Sequence, residues 1–248
     1  MELYGKEIKT VIFDKDGTLL DLPSLWIPWL MDIYQYLGEH LPSYRVNLNE
    51  IKLAFGVGVE DMEVDPTGPL AIGSIYESQI IVALKLYEHG VPWDLAVVNA
   101  KKSMDYANDR LTQSVNLRLL PNVRLLLEKL KQNGVRMGVL TADDTRNAVK
   151  QLDYVNISEY FDFIIGSDQV QNGKPFPDLV YLASERYELA PEEMMIIGDT
   201  NADMLLGVNA GMNLKVGIVP NKQVDTDYLR NADYIIRDYL DLMNGGEN

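Results

Sequence analysis

Four short segments hold the residues whose types and spacing could do chemistry. They are Asp14-Lys15-Asp16-Gly17-Thr18; Thr141, followed by Ala142 and Asp143; Gly173-Lys174-Pro175-Phe176-Pro177-Asp178; and Gly198-Asp199-Thr200-Asn201-Ala202-Asp203. Each follows a short apolar run or the loop after one, and open α/β sheets bind ligands beyond the carboxyl ends of their strands, at a topological switch point. A carboxylate ending a buried strand can attack phosphorus, which splits a hydrolysis into two steps. Gly17 permits the tight reversal that turns Asp16, two residues on, back towards such a site. Acids converging from facing strands need a cation between them. Mg²⁺ suits that role, because it takes few carboxylates and completes its octahedron with water and phosphate oxygens.

Each segment also has a plainer reading. Asp14 and Asp16 could form an acid-rich turn, or open a calcium loop; counting Asp14 as loop position 1, however, puts Leu25 at position 12, where a bidentate Glu is needed. Asp199 and Asp203 bracket the start of a helix, where acids cap free N–H groups and complement the dipole. A threonine ending a strand is commonly β-branched filler. Most lysines are solvated, but Lys174 sits on a loop stiffened by Pro175 and Pro177. Its point charge could steady a phosphate among crowded carboxylates. Lys15 stands between the two acids; strand alternation directs its side chain away from both, and no catalytic role is assigned to it. Asp143 and Asp144 read as an N-terminal cap pair for the following helix.

The elements that must position these residues alternate. Apolar runs at 10–14, 135–141, 161–166, 194–199 and 214–219 read as strands. Helical patterns fill 122–133, 144–154, 177–188 and 201–210, the first with Leu125, Leu126, Leu127 and Leu130 on its apolar side and Gly134 as its stop. That order implies a doubly wound parallel sheet. The stretch between the first strand and Pro121 breaks the pattern with helices at 24–39, 48–55, 73–89 and 93–110, separated by Gly and Pro. The expected architecture is an α/β, Rossmann-like core at 1–20 and 114–248 with an α-helical cap inserted at 21–113. Its entry lies near 19–23 and its exit near 112–121, and residues 245–248 are expected to fray. His40 and His89 fall in or beside cap helices, far in sequence from the acids, and are expected to be neither ligands nor bases. Trp26, Trp29 and Tyr34 read as core, and Gly56-Val57-Gly58 is the candidate substrate-facing loop.

Composition narrows the classes. With 248 residues, 47% of them hydrophobic, the chain can bury a sizeable core. Its 22 basic against 37 acidic side chains leave a net charge of −15, which argues against nucleic acid and against a polybasic membrane contact. The absence of cysteine removes thiolate metal sites and thiol nucleophiles. No secretory signal is visible at the N-terminus and no apolar window is long enough for a membrane span, so a cytoplasmic setting is expected.

Taken in order, the four segments resemble the motifs of the haloacid dehalogenase-like (HAD) superfamily, in its phosphatase form with a helical cap after the first motif. The resemblance implies that Asp14 is the nucleophile that becomes an aspartyl-phosphate. Asp16 would protonate the leaving oxygen and later deprotonate water, while Thr141 and Lys174 hold the phosphoryl group. It also implies Mg²⁺ as cofactor, held by the Asp14 side chain, the Asp16 backbone carbonyl and the Asp199 side chain. Asp203 takes a supporting part, directly or through a metal-bound water. The implied partner is a small phosphorylated metabolite; which one, and the oligomeric state, the sequence leaves open. Two competing activities are a phosphomutase of the β-phosphoglucomutase type and a noncatalytic phosphoryl-binding protein. Dehalogenation fits less well, because the family's dehalogenases lack the second acid that Asp16 represents.

Overall fold

The computed structural model describes residues 1–43, 46–111 and 117–244. The chain forms two compact units, Met1–Asp21 with Leu119–Asn248, and Leu22–Arg118. The expected tail at 245–248 and part of the expected exit, 112–116, lie outside the described residues.

The first unit opens with a hairpin of two short strands, β1 (Glu2–Leu3) and β2 (Lys6–Glu7). Tyr4 and Gly5 join them with φ of 50° and 71°, the left-handed values that a two-residue hairpin loop uses. β3 (Thr10–Phe13) follows; all four of its residues are buried, as in a strand covered on both faces.

The Leu22–Arg118 unit is helical: α1 (Leu22–His40), α2 (Leu48–Ala54), α3 (Pro69–Ile72), α4 (Ile75–Glu88) and α5 (Trp93–Leu111). A capping box starts α4, with Ser74 N–H donating to Glu77 Oε2 at 2.7 Å and Glu77 N–H donating to Ser74 Oγ at 3.3 Å. Trp29, wholly buried, meets Trp26 and Phe55 edge-on, with ring centroids 5.1 and 6.1 Å away. Its Nε1–H donates to Asn108 Oδ1 at 2.7 Å, satisfying the one polar atom that burial would otherwise strand. Trp26 and Trp29 are therefore part of this unit's own core, and Tyr34, partly buried, packs against it.

Beyond residue 117 the alternation resumes with α6 (Val123–Gln132), β4 (Arg136–Thr141), α7 (Thr145–Tyr154), β5 (Phe163–Gly166) and α8 (Asp178–Tyr187). It ends with β6 (Met194–Gly198), α9 (Asn201–Ala210), β7 (Leu214–Ile218), β8 (Tyr234–Ile236) and α10 (Tyr239–Met243). The six longer strands form one parallel sheet in the order β5-β4-β3-β6-β7-β8. β3 is central: Phe13 lies opposite Val139 of β4 on one side and Ile197 of β6 on the other. The chain builds outward from β3 to β5, then returns to continue from β6, so the switch in direction falls beside β3. The α/β, Rossmann-like architecture is as the alternation implies.

One helix face differs from expectation. Leu125 is exposed, whereas Val123, Leu126, Leu127 and Leu130 are buried. At about 100° per residue Leu125 points away from the stripe those four share. Gly134 does end α6, with φ of 67°. The hairpin, α3, β8 and α10 carry too few residues for a periodic signal, and none of them is expected from the sequence; α3 falls where only a break between helices is expected.

Candidate active site

Asp14 is the first residue after β3, and its N–H donates to Ile197 O of β6 at 2.9 Å. Asp199 is the first residue after β6. The two acids therefore leave neighbouring strands at the same end of the sheet, beside the switch point. Gly17, with φ of 79°, lets the turn after Asp14 press against Asp199; a Cβ there would lie 2.1 Å from Asp199 Oδ2. Thr18 Oγ donates to Asp199 Oδ1 at 3.0 Å, and the Tyr239 hydroxyl of α10 donates to the Thr18 carbonyl at 2.7 Å. The turn is thus held from both sides.

Asp203 lies in the first turn of α9, almost wholly buried. Its Oδ2 accepts from Thr200 N–H at 3.1 Å and from Thr200 Oγ at 2.7 Å, a capping arrangement. Its Oδ1 pairs with Lys174 Nζ at 2.6 Å. Lys174 also pairs with Asp14 Oδ1. Asp203 is therefore both a helix cap and the second anchor of the lysine. Carboxylate oxygens of Asp14, Asp199 and Asp203 lie within 4.8 Å of one another, a group that could hold a metal ion.

The electrostatics follow from three crowded acids, two of which, Asp14 and Asp203, share one lysine. Burial is the main force pushing Asp14 up to about 7; Lys174 pulls it back, while Asp203 and Asp16 push it further up. Asp199 is held well above the usual carboxylate range, again chiefly by burial and then by Asp14 and Asp203. Burial works against the Lys174 ammonium, but Asp14 and Asp203 outweigh it and keep the lysine charged. Three acids against one lysine leave room for a further cation in place of the protons, and oxygen donors of this kind suit a hard divalent one.

Thr141 ends β4, next to β3, and is buried; its Oγ accepts from Asp143 N–H at 3.1 Å. Asp16 lies in the turn after Asp14, its side chain 15% exposed.

Lys15 overturns the expectation that it points away from both acids. Its side chain is wholly buried, with Nζ 2.7 Å from each oxygen of Asp16, 3.2 Å from Asp143 Oδ2, and hydrogen-bonded to Gln151 Oε1 of α7. Strand alternation stops at Phe13, so it cannot predict the side chain beyond. Burial disfavours the Lys15 ammonium, yet Asp16 and Asp143 outweigh that and raise its pKa. Of the expected cap pair, Asp144 does stand at the N-cap of α7, whereas Asp143 turns towards Lys15 and Gln151. It is buried, accepting from Asp144 N–H at 2.7 Å and from Gln151 Nε2 at 3.2 Å. Gln151 and Tyr239 are the neighbours that sequence reasoning missed, while Lys15, Thr18 and Asp143 stood in its segments without a part in the site. Gln151 is 136 residues from Lys15 and Tyr239 221 from Thr18, separations with no local signal.

His40 and His89 lie in or at the end of helices of the other unit, bonded to Tyr36 O and Glu50 Oε2 respectively. In the Gly56-Val57-Gly58 loop Val57 is buried, and a β-bridge joins it to Val64.

A sequence model of the haloacid dehalogenase-like hydrolase family matches residues 11–217. The chain is 26% identical over 212 residues to the phosphorylated carbohydrates phosphatase of Thermotoga maritima, covering 86% of each. It is 33% identical over 128 residues, half of each chain, to the phosphoglycolate phosphatase of Escherichia coli K12. In structure it is similar to a predicted phosphoglycolate phosphatase from Haemophilus somnus 129PT, with a TM-score of 0.72, 23% identity, and 97% of this chain and 98% of that one covered.

Proposed function

The chain belongs to the haloacid dehalogenase-like hydrolase family and is a phosphatase of that kind, and from that premise we propose that it hydrolyses a small phosphorylated metabolite through a phosphoryl group carried on Asp14. The observation that carries this reading is the gathering of Asp14, Asp199 and Asp203 where β3 and β6 end, with Lys174 paired to the first and last of them. The names of the relatives, a carbohydrate-phosphate phosphatase and a phosphoglycolate phosphatase, support the small substrate.

In this reading Lys174 and the Thr141 hydroxyl hold the phosphoryl oxygens, and an Asp14 oxygen attacks phosphorus in line with the leaving alcohol. The P–O bond to the alcohol breaks, and Asp16 gives its proton to the departing oxygen. Asp16 then takes a proton from water as that water attacks phosphorus, which restores the Asp14 carboxylate and frees inorganic phosphate. Most of the acceleration comes from holding reactants in line and placing fixed charge where negative charge spreads. Mg²⁺, held by the Asp14 and Asp199 side chains and the Asp16 carbonyl, would supply the positive charge that the three acids leave unbalanced. Asp203 contributes through Lys174 and the start of α9. The Leu22–Arg118 unit is assigned the part of a cap that excludes water and recognises the leaving group.

Phosphate release from a panel of phosphomonoesters, measured with Mg²⁺ and with EDTA, tests the reading. Release from at least one ester that EDTA abolishes is expected. Isomerised sugar phosphate without free phosphate would move the assignment to a mutase, and no turnover of any kind to a binding protein.

A further inference from the structure

The cycle above leaves unused Lys15, a wholly buried cation paired with two acids. We propose that Lys15 is a positioning residue for proton transfer: anchored on Asp143 and Gln151, its ammonium fixes the Asp16 side chain and so the direction from which the Asp16 proton reaches the leaving oxygen. The inference rests on the reading of Asp16 as proton donor.

The geometry has two ends. At one, Lys15 Nζ sits 2.7 Å from both oxygens of Asp16, so it restrains the rotation of the carboxylate as well as its position. At the other, Nζ is held by Gln151 Oε1 and Asp143 Oδ2, on two residues that are themselves buried and bonded to each other. Asp143 is fixed further by Asp144 N–H, and its own N–H donates to the Thr141 hydroxyl. The proton donor and the proposed phosphate-holding hydroxyl are thus set by one hydrogen-bonded unit after β4, though they leave different strands.

A lysine in this place is costly unless it has a task. Enclosing an ammonium is unfavourable unless its partners are well placed, and an apolar side chain of similar length would fill the volume without them. Orientation, in contrast, matters steeply at a reacting centre. A two-point contact to an acid that must face one oxygen supplies it.

The test compares leaving groups. A phenolate such as p-nitrophenolate departs without a proton, whereas an alkoxide needs one. In Lys15→Met, kcat/KM for the best alkyl phosphate is expected to fall about ten- to a hundredfold, up to the lower end of what acid catalysis contributes. For p-nitrophenyl phosphate it should stay within about threefold. Asp16→Asn, run beside it, must show the same selectivity more strongly. Gln151→Leu, which leaves the catalytic turn intact and removes one anchor, should show it more weakly and carries the comparison if Lys15→Met does not fold. Equal losses on both substrates, or none on either, would overturn the positioning role. If Asp16→Asn itself fails to discriminate, the proton-donor reading falls first and the inference with it.

Discussion

Lys174 faces two carboxylates at once, and that double contact makes it more than a phosphate ligand. It compensates Asp14 and Asp203 before any substrate arrives. Lys174→Met should lower kcat at least about a hundredfold, the loss typical of one fixed charge at a developing anion. It should also destabilise the fold by about 3–5 kcal/mol in urea, because a buried partner is left unpaired; unchanged stability would contradict the pairing. Gly17 has two reasons to be glycine, its positive φ and the Asp199 carboxylate where its Cβ would lie. Gly17→Ala should therefore displace Asp199 and raise the Mg²⁺ concentration needed for half-maximal activity. An unaltered titration would show that the close approach does not matter. At this scale Asp14, Asp16, Thr141 and Asp199 were legible because each ends a strand or follows one by at most three residues, Asp203 because it opens the next helix, and Lys174 because Pro175 and Pro177 stiffen its loop. Lys15 was not: the periodicity that orients side chains ends one residue before Asp14.

Among the elements, α9 does the most for the site. Its first turn carries Asp203, and Thr200 holds that carboxylate through both its N–H and its hydroxyl. Removing the hydroxyl in Thr200→Ala should cost about 1 kcal/mol, the usual value of a lost cap, with activity falling as Asp203 loosens. Denaturant unfolding beside steady-state rates checks both. In the helical unit, Trp29 packs on two other rings and bonds Asn108, so Trp29→Ala should destabilise it by about 3–5 kcal/mol. A smaller loss would mean that the unit's core repacks. Long elements such as α1, α5 and α6 were legible because several turns repeat one apolar stripe. β8 and α10, with three and five residues, offer no such repetition, yet α10 brings the Tyr239 hydroxyl to the catalytic turn.

Over the whole molecule, a net charge of −15 and a buried acid cluster point in one direction: the folded chain is short of positive charge where β3 and β6 end. Asp14, pushed up to about 7, and Asp199, also raised, bind protons more tightly folded than unfolded. Their contribution to stability is therefore present below the ordinary carboxylate range and is lost as pH rises through the folded values. A cation that replaces those protons should raise Tm, and more at pH 8 than at pH 5; at a hundred times its Kd, Mg²⁺ would add about 2.7 kcal/mol. Equal shifts at both pH values would argue that it binds elsewhere. If the phosphoryl group passes through Asp14, rapid acid quench of the enzyme during turnover of its best ester, followed by peptide mass analysis, captures it there. One phosphoryl group is expected on the peptide containing Asp14, absent from Asp14→Asn, which should also lack turnover. Full turnover by Asp14→Asn, or a phosphoryl group trapped on another residue, would contradict that route.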